Sequence, residues 1–225
     1  MPVGIVTGAS RGLGLALGRA LAEHGWRLVV DARGLAELDA AWAEAPGVAA
    51  LAGDVADPEH RLALIEAAGH RIDLLVNNAS VLGPSPQPAL AEYPLEALER
   101  VYEVNVLGPL ALFQVALPRL STGARVLNIT SDAAVEPYSG WGGYGSAKAA
   151  LEQLTAVLAA EHPDLRIYAA DPGDMRTQMH QEAFPGEDIS DRPLPEESVP
   201  GLLQLIDGEL PSGRYQAREL AGVRA

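Results

Sequence analysis

The sequence predicts an α/β fold, a Rossmann-like doubly wound parallel sheet of about seven strands with helices on both faces. Short runs rich in β-branched and other apolar residues recur roughly every 25 to 40 residues, and patterns of helical period separate them. The runs are apolar throughout rather than alternating, which is typical of parallel strands buried on both faces. With 225 residues the chain can form one sizeable core, so we expect a single domain over residues 1–225.

The expected strands follow one another along the chain. They cover residues 3–6, 26–31, 48–51, 72–77, 125–129, 165–170 and, more weakly, 213–217. Among the helices between them one start is clear, because Asp57 is a good N-cap and Pro58 fits the first helical position. Helical spacing also covers residues 90–117, where we expect Gly108 and Pro109 to kink or divide the helix.

Composition argues against several classes of partner. The formal net charge of −14 would repel phosphate backbones and anionic lipid, so we expect neither nucleic-acid nor membrane partners. No run reaches the roughly 18 uninterrupted apolar residues of a membrane span. Only Met1 and Pro2 precede the first apolar run, which leaves no room for a signal peptide, and we expect a cytoplasmic protein.

The five histidines show no metal-ligand spacing, and cysteine is absent, so we expect no metal site. Four of them, His24, His60, His70 and His162, lie near expected helix ends. Solvated or capping roles are expected for histidines in such positions.

A glycine-rich loop follows the first strand and opens the first helix. Its residues are Thr7, Gly8, Ala9, Ser10, Arg11, Gly12, Leu13 and Gly14. Backbone amides at a helix N-terminus, together with the helix dipole, can hold a pyrophosphate, so this position predicts a dinucleotide site. A glycine triplet alone is a weak signal, and its alternative is a tight strand-to-helix turn.

Tyr144 and Lys148 are four residues apart at the start of a helical pattern over residues 145–160, so both side chains project from one face. The 16 basic residues comprise 15 arginines and one lysine, which is Lys148. With 6 tyrosines in 225 residues, a lone lysine falls four after a tyrosine in about 3% of random placements. A positioned phenol can protonate the alkoxide that hydride leaves on a carbonyl, and a nearby ammonium should lower the phenol pKa. The alternative is a solvated surface pair.

The spacing Thr-Gly-x-x-x-Gly-x-Gly resembles the short-chain dehydrogenase/reductase family, and the short C-terminal strand resembles its small carbonyl-reductase and C-factor-type members. The resemblance implies that Asp54 and Val55 contact the adenine of a bound dinucleotide, and that Tyr144 and Lys148 contact the cofactor as well. Two further implied cofactor residues are Asn77 and Asn78, and the alternative for these asparagines is a turn. The remaining implied cofactor residues are Ala79, followed by Ser80 where a glycine is usual, and the nicotinamide-side turn of Pro172, Gly173 and Thr177.

The same resemblance implies four working residues, Asn105, Ser131, Tyr144 and Lys148. Ser131, 13 positions before Tyr144, matches the serine that hydrogen-bonds the substrate carbonyl; its alternative is a helix-cap or turn serine. Asn105 matches the asparagine that supports a proton-relay water next to the lysine. The implied function is hydride transfer between NADP(H) and a ketone, aldehyde or secondary alcohol.

Two local signals disagree on the cofactor. Asp31, about 20 residues after Gly12, fits the acid that binds the NAD ribose. The resemblance instead implies that an NAD-selecting acid would stand one position later, at Ala32, and that Arg33 and Arg11 hold the 2′-phosphate of NADP. We therefore expect NADP(H), with NAD as the alternative.

Two other functions are kept as alternatives: a nucleotide-sensing regulatory protein on the same fold, and a lyase or epimerase that uses bound cofactor. Family members usually pair through helices that here cover residues 92–117 and 144–161, so the resemblance implies a homodimer or homotetramer. Residues 173–195 mix Gly, Pro and charge with little periodicity and carry apolar side chains, and we expect this substrate-side loop to close as a lid. The alternative is a locally packed surface excursion.

Overall fold

The computed structural model describes residues 1–221, and a seven-stranded sheet in the order β3-β2-β1-β4-β5-β6-β7 forms its centre. The strands are β1 Val3–Val6, β2 Arg27–Ala32, β3 Val48–Ala52, β4 Ile72–Asn77, β5 Leu120–Ile129, β6 Arg166–Asp171 and β7 Gly213–Gln216. Each neighbouring pair is parallel. The strand order reverses between β1 and β4, and ligands of such sheets bind beyond the carboxyl ends at this point.

Helices cover both faces of the sheet. Within the described residues they are α1 Gly12–Glu23, α2 Leu35–Trp42, α3 Pro58–Ala68, α4 Leu95–Tyr102, α5 Gly108–Ala116, α6 Gly142–Glu161, α7 Gln178–Ala183, α8 Val199–Asp207 and α9 Ala217–Leu220. On one face α1 and α8 bury Leu17 and Leu202, and on the other α5 buries Phe113. Successive strand residues point to opposite faces, so Val30 joins the first core and Val29 the second. The predicted doubly wound fold is confirmed.

Six of the seven strands lie within one residue of their predicted bounds. The exception is β5, which begins at Leu120 instead of residue 125. Leu120 pairs with Ile72, and the register between these strands then shifts before regular pairing resumes. The intervening Ser-Thr-Gly at residues 121–123 lacks the apolar pattern of a buried strand, so the sequence does not reveal this first part of β5.

The helical stretch predicted over residues 90–117 is regular in α4 and α5 and widened between them, whereas residues 90–92 form a short 3-10 turn and residues 93–94 are not helical. A single π-turn, Glu103–Leu107, joins α4 to α5. The π-turn ends directly before Gly108 and Pro109, and both residues belong to the first turn of α5, so the helical run continues through the position where we expected a kink or a division. Proline has no N–H to donate to the carbonyl four residues earlier, that of Asn105, so an ordinary α-turn would lose a hydrogen bond here.

Residues 173–195 are less irregular than the sequence predicted. The helix α7 begins after Thr177, whose hydroxyl accepts a hydrogen bond from the N–H of His180 at 3.2 Å. A helix of six residues is too short for hydrophobic periodicity to be visible in the sequence.

One helical stretch of the described chain, Leu95–Arg119, is long and apolar enough by length and composition to cross a membrane. Half of its most apolar window is buried inside the protein, and its α5 part packs against α3. The stretch therefore has the surroundings of a core helix.

Candidate active site

A cleft of about 1200 Å3 lies at the carboxyl ends of the strands, where the strand order reverses. Its walls come from the glycine-rich loop, the ends of β2 to β6, the start of α6 and the segment after β6. The predicted site residues that line it include Ser10, Arg11, Asp54, Ser131, Tyr144, Lys148 and Thr177. Residues predicted from distant parts of the sequence are thus brought to one cleft.

The glycine-rich loop folds tightly around the N-terminus of α1. Gly8 and Gly12 have φ of 68° and 57°, which favour glycine. A Cβ on Gly14 would lie 2.4 Å from the carbonyl oxygen of Gly8, so the backbone approach there requires glycine as well. Such a glycine cradle at a helix N-terminus fits the pyrophosphate of a dinucleotide.

Two predicted cofactor residues support this loop from below rather than line the cleft. Thr7 Oγ1 accepts hydrogen bonds from the N–H groups of Asn78 and Ala79, both at 3.0 Å. Asn77 donates to the side chain of Asn128 at 2.7 Å and is buried. Asn78 does line the cleft and donates to the carbonyl oxygen of Thr7 at 2.8 Å. The ends of β1 and β4 are therefore joined by side chains directly beneath the cradle.

Asp31 is buried beneath the same loop, with 1% of its surface exposed. One carboxylate oxygen accepts a hydrogen bond from the N–H of Gly8 at 2.7 Å, and the other lies 3.0 Å from Nε2 of His60. Burial raises the pKa of Asp31, and the bonds with His60 and Gly8 oppose that shift. The solvated or capping role predicted for His60 is wrong, because its ring is buried against Asp31 and Gly53; a Cβ at Gly53 would meet the ring at 2.1 Å.

Asp54 and Val55, which were predicted to contact an adenine, lie in the segment after β3 and line the cleft. The carboxylate of Asp54 accepts a hydrogen bond from the N–H of Ala56 at 2.9 Å and forms an ion pair with Arg100 of α4. Burial alone would raise the pKa of Asp54, but these bonds and the charges of Arg100 and Arg33 lower it. Arg33 is exposed at the rim of the cleft.

Tyr144 and Lys148 lie side by side on the first turns of α6, both buried. The Lys148 ammonium donates to the carbonyl oxygen of Ile129 at 2.8 Å and lies 5.4 Å from the centre of the Tyr144 ring. Burial lowers the pKa of Lys148 to about 8. Burial also raises the pKa of Tyr144, with smaller upward contributions from Asp171 and Asp132. The predicted lowering of the Tyr144 pKa is therefore wrong for the protein without ligand, because removal of the phenolate from water dominates.

Ser131 follows β5 and lines the same cleft as Tyr144. Its hydroxyl donates to the carboxylate of Asp132 at 2.9 Å and accepts from the N–H of Ala133 at 3.2 Å. Tyr138 donates to the other oxygen of Asp132 at 3.0 Å. Ser131 thus does cap a short turn, as the alternative prediction held, and also presents its hydroxyl to the cleft.

Asn105 is fully buried within the π-turn. Its side-chain oxygen accepts from the N–H of Val81 at 2.9 Å and from the hydroxyl of Ser80 at 3.1 Å, and its amide donates to the carbonyl of Val81 at 2.8 Å. A π-turn often marks a functional position in a helix. Here it aims Asn105 at the segment that leaves β4.

The turn that was predicted to lie on the nicotinamide side leaves β6 at Asp171, whose carboxylate accepts from the N–H of Gly173 at 2.9 Å. Beyond it α7 covers the glycine-rich loop, and Arg11 donates to the side chain of Gln178 at 2.7 Å. Phe184 packs on Trp141 with ring centres 5.9 Å apart. The segment after β6 therefore contacts both the glycine-rich loop and the start of α6.

One contributor to the site was not predicted from the sequence. Arg214 of β7 donates to the carboxylates of Glu152 and Asp171, both at 2.9 Å, and to the carbonyl oxygen of Ser131 at 3.4 Å. It therefore connects α6, β6 and the serine segment behind the cleft. The only hint in the sequence was an arginine within a predicted strand. The sequence does not reveal that β7 lies beside β6, which is what brings Arg214 to Asp171.

Comparison with known proteins gives consistent matches. The model of the short chain dehydrogenase family matches residues 2–188. L-xylulose reductase of Bos taurus is 34% identical over 185 residues, which span 80% of this chain and 74% of that protein. A Shigella flexneri structure complexed with NADP is 26% identical, with a TM-score of 0.87 over 96% of this chain and 97% of that one. An Escherichia coli structure complexed with NADPH is also 26% identical, with a TM-score of 0.88 over 96% of each chain.

Proposed function

Since this chain belongs to the short chain dehydrogenase family and is an oxidoreductase, we propose that it transfers hydride between NADP(H) and a ketone, aldehyde or secondary alcohol. The observation that carries the proposal is the convergence of Ser131, Tyr144 and Lys148 on the cleft that the glycine-rich loop opens into. Asn105 completes the set from the π-turn behind Ser80.

The residues present fit a dinucleotide. A Cβ on Gly14 would meet the carbonyl oxygen of Gly8, so glycine lets the loop close tightly around the N-terminus of α1, whose amides can hold a pyrophosphate. Asp54 and Val55 line the same cleft, which supports their assignment to the adenine. The nicotinamide ring, when bound, gives or takes the hydride. The other cofactor assignments, including the nicotinamide-side turn at Gly173, are part of this proposal.

The chain itself supplies the proton and the orientation of the substrate. In the reducing direction the phenol of Tyr144 gives its proton to the substrate oxygen. Lys148 keeps a positive charge beside the phenolate that remains, which partly offsets the effect of burial. Ser131 hydrogen-bonds the substrate oxygen after its hydroxyl turns away from Asp132. In the oxidising direction each step is reversed.

Two observations support NADP(H) over NAD(H). Both oxygens of Asp31 are engaged by Gly8 and His60, so a ribose would have to compete with these bonds for the carboxylate. Arg33 and Arg11 are exposed at the cleft, where guanidinium groups can hold a 2′-phosphate. Steady-state kinetics with both cofactors test this; a higher kcat/KM with NADH would reverse the assignment.

The reaction itself is tested with a panel of carbonyl compounds, with NADPH consumption followed at 340 nm. Net oxidation of NADPH, lost in Tyr144→Phe, is the expected result. A regulatory protein would bind NADPH without turnover, and a lyase or epimerase would turn over without net consumption. Either outcome would contradict the proposal.

We also propose that the chain forms a single domain, that residues 173–195 close as a lid, and that copies of the chain assemble. Exposed apolar side chains lie on the helices expected to pair, namely Leu95 at the start of α4, Leu107 at the end of the π-turn and Val157 on α6. They support pairing of copies through these helices. Light scattering in solution should give a homodimer or homotetramer; a monomer would contradict this. The cytoplasmic location stays a prediction, which cell fractionation can check.

A further inference from the structure

Ser80 occupies a position between two of the proposed working residues. Its hydroxyl donates to the side-chain oxygen of Asn105 at 3.1 Å, and it lines the cleft together with Tyr144. Hydrogen bonding with Ser80 lowers the pKa of Tyr144, against the larger upward effect of burial. A glycine, usual at this position by resemblance, would supply neither contact.

We propose that Ser80 is a positioning residue for proton transfer, whose hydroxyl switches between Asn105 and the oxygen of Tyr144. This inference rests on the proposed function. While Tyr144 is a phenol, Ser80 donates to Asn105 and its lone pairs can accept from the phenol. Once the phenol has given its proton to the substrate oxygen, the Ser80 hydroxyl turns and donates to the phenolate. Ser80 keeps its own proton throughout.

The surroundings allow this rotation at little cost. When Ser80 turns away, the Asn105 oxygen still accepts from the N–H of Val81 at 2.9 Å, so no buried acceptor is left without a partner. The Asn105 amide keeps its bond to the Val81 carbonyl as well. The switch therefore adds a donor to the phenolate without disturbing the segment that holds it.

The expected signature is a shift in the pH profile. Charged or titratable side chains from the neighbouring elements line the cleft near Tyr144. They are Lys148 of α6, Asp132 after β5, Asp171 of β6 and His180 of α7. These groups are unchanged when only Ser80 is substituted. A hydrogen bond to the charged form favours that form, so its loss should raise the apparent pKa of the base in alcohol oxidation.

The test compares Ser80→Ala, Ser80→Thr and Ser146→Ala with the wild type. The Ser146 hydroxyl lies on the same helix as Tyr144, bonds to the carbonyl of Gly143 at 3.2 Å and is outside the cleft, which makes it a matched control. The substrate is the secondary alcohol formed from the best ketone of the panel. Oxidation is followed with NADP+, whose positive charge would lower the apparent pKa of the Tyr144 phenol toward the range of the assay, and kcat/KM is measured from about pH 6 to 10. NADPH fluorescence and circular dichroism check binding and folding, and Ser80→Gly replaces the alanine variant if that is insoluble.

We expect the acidic limb to move up by about one pH unit in Ser80→Ala, a tenfold slower reaction below that pKa, and to stay in place in Ser80→Thr and Ser146→Ala. A uniform loss of kcat with an unmoved limb would show a merely structural role and overturn the inference. An equal shift in Ser146→Ala would overturn it too. A wild type that oxidises no alcohol and reduces no carbonyl would instead overturn the proposed function, and this inference with it.

Discussion

Replacing Lys148 by methionine should change how the stability of the protein depends on pH. Lys148 is 2% exposed, and burial lowers its pKa from 10.5 to about 8. A base whose pKa is lower in the folded state binds fewer protons there than in the unfolded chain. The folded protein therefore carries a penalty below pH 8, and that penalty decreases as the pH rises from about 8 to 10.5. Methionine has a similar length but no charge, so the variant lacks this penalty.

The size of the effect follows from these two pKa values. One pKa unit corresponds to about 1.4 kcal/mol, so the penalty is about 3 kcal/mol at pH 7 and about 1.4 kcal/mol at pH 9.5. The lost hydrogen bond to Ile129 affects the variant at both pH values and largely cancels in the comparison. Between pH 7 and 9.5 the free energy of unfolding of the wild type should thus rise by about 2 kcal/mol relative to Lys148→Met.

Reversible urea unfolding at 25 °C of both proteins at the two pH values measures this difference. Lys148 is the single lysine of the chain, so no other lysine titrates in this range, and the remaining groups are common to both proteins. A difference between the proteins that stays constant within about 0.5 kcal/mol would refute the reasoning. It would show that the ammonium is as well stabilised in the fold as in water.

Three further predictions concern activity and motion. Lys148→Arg and Tyr144→Phe should each lower kcat by at least about tenfold with unchanged circular dichroism. For Lys148→Arg the reason is that a planar guanidinium cannot replace a compact buried ammonium, and near-normal turnover of this variant would contradict the proposed mechanism. Arg33→Ala should lower kcat/KM for NADPH by about tenfold or more and leave kcat/KM for NADH within a few-fold. The control Arg71→Ala, at an exposed arginine paired with Asp73, should change neither value. Equal losses with both cofactors in Arg33→Ala would contradict a 2′-phosphate contact. Hydrogen exchange over residues 173–195 should slow when cofactor and a substrate analogue bind, and unchanged exchange would rule out a lid.

Most of the fold could be predicted because buried parallel strands and amphipathic helices leave a periodic signal. The signal failed where local pattern and tertiary pairing disagree. β5 begins at Leu120, which pairs with Ile72 of β4, but the polar and small residues 121–123 interrupt the apolar pattern that would reveal it. The helix α7 is too short to show a period. The π-turn has no composition of its own, since it differs from an α-turn only in the hydrogen bonds made.

The candidate site shows the same division. The pairing of Tyr144 with Lys148 could be predicted from their spacing, because they are neighbours on one helix. The orientation of a turn toward the cleft depends instead on tertiary packing, which spacing does not reveal. Asn77 was therefore predicted at the cofactor but lies in a buried contact with Asn128. His60 and Arg214 act through partners far away in sequence, so neither role could be inferred from its neighbours along the chain.

The π-turn also determines which changes in length this part of the chain can accept. A π-turn holds one residue more than an α-turn, and each residue of a helix advances the side chains by about 100° around the axis. Deleting one residue within Glu103–Leu107 would give a continuous α-helix, but α4 and α5 could then no longer both keep their present orientations. Either Val101 would leave its buried position or Phe113 would leave the core under the sheet. The extra residue thus lets one helix serve two differently oriented surfaces, so insertions and deletions should be confined to the exposed loops around it.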